Sequence, residues 1–157
     1  MSLEDLLARE AIRALLAELA QAGDSVRAEE YAACFTEDGM LQTEAAGGQG
    51  LDLHGRAAIL AWQQGLREPG KGMGQGGAIP LRFARHNLTT CKIELTGPDS
   101  ASARTYWHVM TNAGPDHCGV YRDDLRRVDG TWLIARRRVK TEWAAETSLM
   151  VPPGSRP

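Results

Sequence analysis

Two side chains far apart in the sequence have the chemistry to move a proton, His86 and Asp24. His86 lies in residues 84–90, Ala-Arg-His-Asn-Leu-Thr-Thr, where an extended strand places it on one face with Leu88 and Thr90. An imidazole works as a general base near neutral pH. A single strand histidine also fits a hydrogen-bonded structural role, and Asp24 also fits a helix cap, so the residue types alone leave both interpretations open.

A cation in an apolar row is the third candidate. In the last predicted strand Leu133, Ala135, Arg137 and Val139 share one face, so Arg137 is a lone charge among apolar neighbours. Such a placement is costly without an anion or a ligand. The alternative is that a bulge turns Arg137 outward or that a surface carboxylate pairs with it.

Other chemistries lack their usual sequence patterns. His54, His108, His117 and Cys118 show no metal-ligand spacing, so we expect no metal. A Gly-x-Ser-x-Gly nucleophile motif is missing from the sequence, and the glycine-rich segment has no Gly-Lys-Ser or Gly-Lys-Thr. Proton transfer from carbon needs no cofactor, and we expect none.

The candidate residues must be positioned by helices that come first in the chain. Apolar residues at spacings of three and four predict a long first helix; they are Leu3, Leu6, Leu7, Ile12, Leu15, Leu16 and Leu19. Gly23-Asp24-Ser25 should end it, and Ser25 can cap a short second helix that runs to Phe35. Asp24 then lies at the corner between two helices.

The rest of the chain reads mainly as strands. Short strands are predicted at 40–43 and 51–53, and a third helix at 55–66, with Trp62 on its apolar side. Residues 70–77 are too rich in glycine for regular structure, and we expect a mobile loop. From Leu81 four strands follow, separated by turns at 97–99, 114–116 and 129–130. We predict an α+β fold whose curved antiparallel sheet wraps a pocket under the helices.

Composition sets the broad class. A length of 157 residues fits one domain, which we place at 1–151, with a flexible tail at 152–157. The net charge of −2 favours neither nucleic acid nor membrane, although Arg126, Arg127 and residues 136–138 could form a basic patch rather than solvated surface. Three widely spaced cysteines and no signal-peptide pattern favour the cytoplasm.

The ordered set of short motifs resembles a known family. It comprises Asp24 after an apolar helix, Cys34-Phe35-Thr36-Glu37-Asp38, Leu53-His54-Gly55-Arg56, Arg85-His86-Asn87-Leu88, Ala103-Arg104-Thr105-Tyr106 and residues 127–134. These segments resemble the SnoaL-like family of the nuclear-transport-factor-2-like, or cystatin-like, superfamily. Within that family the chain resembles scytalone dehydratase, bile-acid dehydratase and hexachlorocyclohexane dehydrochlorinase. The resemblance implies a cone-shaped α+β barrel with three N-terminal helices.

The resemblance also assigns roles. It implies that Asp24 and His86 form a catalytic dyad, that Arg137 is a pocket arginine and that Tyr121 is a pocket aromatic. Two tyrosines that position a water in scytalone dehydratase correspond to Gly23 and Thr43, so its particular substrate is not implied. With the strand and helix faces, we expect the pocket to be lined by Tyr121, Trp107, Thr105, Leu88 and Trp62.

The expected function is a cofactor-free lyase or isomerase acting on a small, largely apolar cyclic molecule. Asp24 would orient His86, His86 would accept the proton, and Arg137 would stabilise negative charge. The alternative is a non-catalytic ligand-binding or accessory subunit, similar to the small subunit of ring-hydroxylating dioxygenases. Tyr106, Trp132 and Ile134 at outward positions predict a homodimer or homotrimer.

Overall fold

Three helices cover one side of the molecule. The computed structural model describes residues 2–44, 50–67 and 79–157. Helix α1 spans Leu3–Asp24, α2 spans Ala28–Ala33 and α3 spans Arg56–Gly65. At the start of α1 the hydroxyl of Ser2 accepts from the Asp5 N–H at 3.1 Å, and the Asp5 carboxylate accepts from the Ser2 N–H at 2.9 Å. This reciprocal cap satisfies two donors at the helix start.

Within the described residues, six strands form one curved sheet. They are β1 Phe35–Glu44, β2 Asp52–His54, β3 Ala84–Gly97, β4 Ser100–Thr111, β5 Gly114–Val128 and β6 Thr131–Ala144. Their order is β2-β1-β6-β5-β4-β3, so β2 and β3 form the edges and the sheet is not closed. All pairs are antiparallel except β1 with β6, which is parallel. The predicted α+β class is confirmed, with one parallel pair in the sheet.

Several predicted boundaries were wrong. Ser25 is the C-cap of α1 rather than the N-cap of α2, because its N–H donates back to the carbonyl of Gln21. Val26 then turns the chain with a φ of 50°. Phe35 opens β1 instead of ending a helix. Residues 114–116 lie inside β5 rather than in a turn. The predicted loop at 70–77 lies outside the described residues.

The predicted faces of β6 were wrong before residue 135 because the strand contains a bulge. Asp124 pairs with Arg136 but Leu125 pairs with Ile134, so Ala135 is an extra residue in β6. The extra residue reverses the alternation. Trp132 and Ile134 therefore point into the core rather than outward, while Arg137 is also buried. Of the three residues on which the predicted oligomer rested, Tyr106 alone is exposed.

The core lies between the helices and the concave side of the sheet. Helix α1 packs across β3 and β6, and α3 packs against α2 and β1. A larger buried cluster includes Ile12, Leu16, Phe35, Ile59 and Ile134. A smaller cluster contains Ala84, Trp107, Val109 and Tyr121. The smaller cluster forms one side of the cavity described below.

Replacing Gly119 by alanine should destabilise the sheet. A Cβ at Gly119 would lie 2.0 Å from the carbonyl oxygen of Lys140 and 2.9 Å from Cζ2 of Trp107. We expect the free energy of unfolding to fall by about 1–3 kcal/mol, as in other overpacked sites. Gly65→Ala is the control, because a Cβ there meets nothing within 4 Å. Urea unfolding measures both, and equal stability of the two variants would contradict the prediction.

Candidate functional site

The end of α1 and the start of β3 bring Asp24 and His86 together. Nδ1 of His86 lies 2.6 Å from Oδ1 of Asp24, and the His86 N–H donates to Oδ2 at 3.0 Å. The side chain of Asp24 is 7% exposed and that of His86 is 20% exposed. One carboxylate thus holds both the ring and the backbone of His86, leaving Nε2 for a ligand.

His86 lines a cavity of about 350 Å³ between the helices and the sheet. Four residues predicted for the pocket or the catalytic site also line it: Trp62, Trp107, Tyr121 and Arg137. Gly23 and Thr43, the positions at which the resemblance fails, are lining residues too.

Thr105 and Leu88 were predicted for the pocket but are not among its lining residues. Thr105 is fully buried, and its hydroxyl donates to Sγ of Cys91 at 3.2 Å. Leu88 is half-buried and packs against both hydrophobic clusters. The predicted inward face of β4 is correct, because Ala103, Thr105 and Trp107 are all buried. Of these three, Trp107 is the one that lines the cavity, so burial on the inward face did not by itself place Thr105 there.

Arg137 has a buried partner. Its Nε and Nη2 donate to the two carboxylate oxygens of Asp123 at 2.7 and 2.8 Å, and Asp123 lies directly opposite it on β5. The guanidinium also lies 4.1 Å from the centre of the Tyr121 ring. Burial by itself would lower the pKa of Arg137, but Asp123 outweighs burial and raises it. The expected lone cation is a desolvated ion pair, so no ligand anion is needed to compensate it.

Two tyrosines contribute to the cavity wall, of which Tyr31 is half-buried and Tyr121 is buried. Tyr31 from α2 lies 6.1 Å from Trp62, and Tyr121 stacks on Trp107 at 5.1 Å between ring centres. Burial raises the pKa of Tyr31 to about 12 and also raises the pKa of Tyr121. Both phenols are therefore neutral at physiological pH.

Ionisation of these phenols should lower the stability of the fold at alkaline pH. The unfolded chain ionises Tyr31 near its ordinary pKa of about 10, whereas the folded chain ionises it near 12. Its stabilising contribution is complete below about pH 10 and is lost as the pH rises through 12. Phenolate absorbance and circular dichroism, followed together, should show Tyr31 and Tyr121 ionising only as the fold is lost, and Tyr31→Phe should reduce that late phase to the part that comes from Tyr121. Ionisation of all three tyrosines in the intact fold near pH 10 would contradict this.

His117 was missed as a pocket residue. The sequence presented it as a weak metal-ligand candidate, but it lies on the cavity wall with its ring centre 6.3 Å from that of His86. Nδ1 of His117 lies 2.7 Å from Oδ1 of Asp116. The adjacent Asp-His pair straight after a proline was the available signal, but residues 114–116 were predicted to form a turn rather than the start of β5.

Two further properties concern the described part of the chain. No group of three or more histidine, cysteine, aspartate or glutamate side chains there could hold a metal ion. Likewise, no helix in the ranges given above has both the length and the apolar composition needed to cross a membrane.

Three solved structures share this fold. A protein of unknown function from Mycobacterium tuberculosis is 28% identical, with 90% of this chain and 76% of that chain covered and a TM-score of 0.70. A putative scytalone dehydratase from Novosphingobium aromaticivorans is 24% identical over 98% of both chains, with a TM-score of 0.70. A protein of unknown function with a cystatin-like fold from Nostoc punctiforme is 19% identical, with coverage of 87% and 92% and a TM-score of 0.68.

Sequence comparison agrees with the structural comparison. Among curated proteins, none matches the chain. A family model does match, and it covers residues 4–138, from the first helix to the ion pair on β6. That range includes Asp24, His86 and Arg137. The chain belongs to the SnoaL-like domain family.

Proposed function

We propose that the protein is a cofactor-free lyase or isomerase in which His86 removes a carbon-bound proton from a small, largely apolar cyclic substrate. The observation that carries the proposal is the 2.6 Å contact between Nδ1 of His86 and Oδ1 of Asp24 on a cavity wall. Family membership is in keeping with a dehydratase-like or cyclase-like activity.

The Asp24 carboxylate would prepare His86 for this role. A carboxylate beside Nδ1 keeps the proton on that nitrogen and leaves the Nε2 lone pair free. When Nε2 takes a proton from substrate, the adjacent negative charge stabilises the imidazolium. Because Asp24 also accepts from the His86 backbone, the ring is held in place before substrate binds.

The reaction balances without a redox partner. The C–H electron pair forms a new double bond as the proton passes to Nε2 of His86. In a lyase the leaving group departs with its own electron pair, while in an isomerase the imidazolium returns the proton to another atom. Arg137 and the neutral hydroxyl of Tyr121 lie on the same wall, where they can face negative charge developing on the substrate.

The cavity walls favour an apolar ring. Trp62, Trp107, Tyr31 and Tyr121 present aromatic surface around a space of about 350 Å³. Such a volume lies at the small end of ligand cavities in proteins. A compact cyclic molecule would bury most of its surface here, and the few polar groups of the wall would set its orientation.

Carbon-bound hydrogen exchange tests the proposal with a panel of candidate substrates. Wild-type protein is incubated in D2O with cyclic ketones and cyclic alcohols that have an acidic C–H, and proton NMR follows each C–H signal. We expect deuterium incorporation or elimination for some members with the wild type and none with His86→Ala. Equal exchange by both proteins would reject His86 as the base.

A second candidate is a ligand-binding protein with no chemistry of its own. The pairing of Arg137 with Asp123 favours it, because a neutralised cation offers less stabilisation to a developing charge. The same panel separates the two functions. Tight binding of panel members, seen as quenching of tryptophan fluorescence, together with no exchange at carbon would favour the binding protein.

A further inference from the structure

A second carboxylate–imidazole pair is built into β5. Val109 of β4 pairs with His117 and Met110 pairs with Pro115, so Asp116 is an extra residue in the strand. This bulge lets the consecutive residues Asp116 and His117 both point inward, and both are buried. Nδ1 of His117 lies 2.7 Å from Oδ1 of Asp116.

Asp116 is itself held by the chain that follows β6. Its Oδ1 accepts from the Ser148 hydroxyl at 2.7 Å and its Oδ2 accepts from the Leu149 N–H at 2.7 Å. Its carbonyl oxygen accepts from the Ala145 N–H at 2.8 Å. The carboxylate that contacts His117 therefore has a fixed position, set by three separate hydrogen bonds.

The charges of the pair fix which nitrogen of His117 carries the proton. Burial by itself would raise the pKa of Asp116, but bonds from Ser148, Leu149 and His117 lower it, so the carboxylate is ionised. Burial lowers the pKa of His117, although Asp116 opposes the shift, so the imidazole is neutral near pH 7. A neutral ring beside a carboxylate donates from Nδ1, and Nε2 is then an acceptor.

Nε2 of His117 is available on the cavity wall. His117 and His86 both line the cavity, with their rings edge to face and 6.3 Å between centres. Among the hydrogen bonds of the described residues, Nε2 of His117 has none. Oε1 of Gln63, another lining residue, is a buried acceptor that likewise has no partner within the described chain. The wall thus offers two acceptors that need a donor.

We propose that His117, held by Asp116, is a specificity-determining residue whose Nε2 accepts a hydrogen bond from a hydroxyl group of the ligand beside His86. The inference rests on the proposed function, because it places the ligand in the same cavity. It adds a chemical requirement, which is that the apolar ring carries a hydroxyl on the side that faces β5.

Matched probes test the requirement by binding alone. β-Naphthol and its methyl ether have the same ring, but the ether has no hydrogen to donate. We expect wild-type protein to bind naphthol about tenfold more tightly or better, measured by calorimetry, since an unpaired buried acceptor is costly. Equal binding of the two probes, or binding of neither, would overturn the proposal.

Asp116→Asn tests the tautomer. The amide that replaces the carboxylate can keep its oxygen toward the Leu149 N–H and donate from its nitrogen to Nδ1 of His117. The proton of His117 then moves to Nε2, which becomes a donor, and the preference for naphthol over its ether should disappear. Nitrogen-15 NMR of the histidine rings reports the change directly. Asp52→Asn is the matched control, since Asp52 contacts the exposed His54 at 3.0 Å on the surface.

If Asp116→Asn does not fold, His117→Leu tests the same proposal. It removes the acceptor and leaves the bonds of Asp116 to Ser148 and Leu149 in place. The ratio of the two dissociation constants should fall to near one. A ratio that persists in His117→Leu would overturn the proposal, because a group other than His117 would then accept the hydrogen bond from naphthol. His86→Ala should keep the ratio, so a failed exchange assay and a failed specificity test are distinguishable.

Discussion

Replacing His86 by glutamine is expected to lower kcat, for a substrate found by the exchange assay, by about 10²–10⁴-fold. Glutamine keeps a polar side chain of similar reach, and the backbone N–H at residue 86 can still donate to Asp24. It has no basic nitrogen to accept a proton from carbon. Steady-state kinetics at saturating substrate measure the loss, and circular dichroism checks that the fold is unchanged.

His108→Gln is the matched control for this variant. His108 lies on β4, between β3 and β5 in the same sheet, but its side chain is exposed on the opposite face. The same chemical substitution there should leave kcat within about twofold of the wild type, as is typical of surface changes. A His86→Gln protein as active as His108→Gln would mean that another group removes the proton.

Replacing Asp123 by alanine should lower the free energy of unfolding more than Gly119→Ala or Asp124→Ala does. The change leaves the Arg137 guanidinium buried without its partner, and breaking a buried ion pair in this way costs about 3–5 kcal/mol. Replacing both partners, with Arg137→Met and Asp123→Leu together, removes the stranded charge and should recover most of that loss. Urea unfolding of Arg137→Met, Asp123→Leu and the double variant measures the coupling between the two residues.

A neighbouring ion pair supplies the comparison. Arg138 and Asp124 come one residue later on each strand, 3.2 Å apart, with side chains 40% and 49% exposed. Because water screens them, Asp124→Ala should change the free energy of unfolding by no more than about 1 kcal/mol. Similar effects of Asp123→Ala and Asp124→Ala would contradict the assignment of a desolvated pair at Arg137.

Local sequence signals predicted many of the elements. The leucine spacing of α1 marks the helix, and five of its apolar or small residues are buried. Asp129 and Gly130 have φ values of 48° and 81°, as the predicted tight hairpin requires. The motifs that point to Asp24 and His86 are local too, although the proximity of the two residues followed from the family resemblance rather than from spacing.

Bulges account for the incorrect faces in the sheet. One extra residue at Ala135 reverses the inward and outward faces of β6, so a strictly alternating pattern placed Trp132 and Ile134 outside. Another extra residue at Asp116 lies in a segment that was predicted to be a turn, so the burial of His117 beside it was not predicted. The bulges depend on pairing with neighbouring strands, and no short segment of sequence reveals a single unpaired residue.

The polar partners that lie far apart in the sequence could not be predicted either. Asp123 pairs with Arg137 across two strands, and Ser148 bonds to Asp116 from 32 residues away. Sequence reasoning identified Arg137 as a charge that needed compensation, but any of several carboxylates could have supplied it. The register between β5 and β6 decides the partner, and that register is a property of the whole sheet.

A double-mutant cycle on kcat shows whether Asp24 and His86 act as one proton-transferring unit. Asp24→Asn and His86→Gln should each lower kcat severely. The kcat of the double variant should be no lower than that of His86→Gln alone, because a carboxylate has nothing to orient once the imidazole is gone. If the two losses multiply in the double variant, or if Asp24→Asn retains wild-type kcat, the dyad is not the catalytic unit.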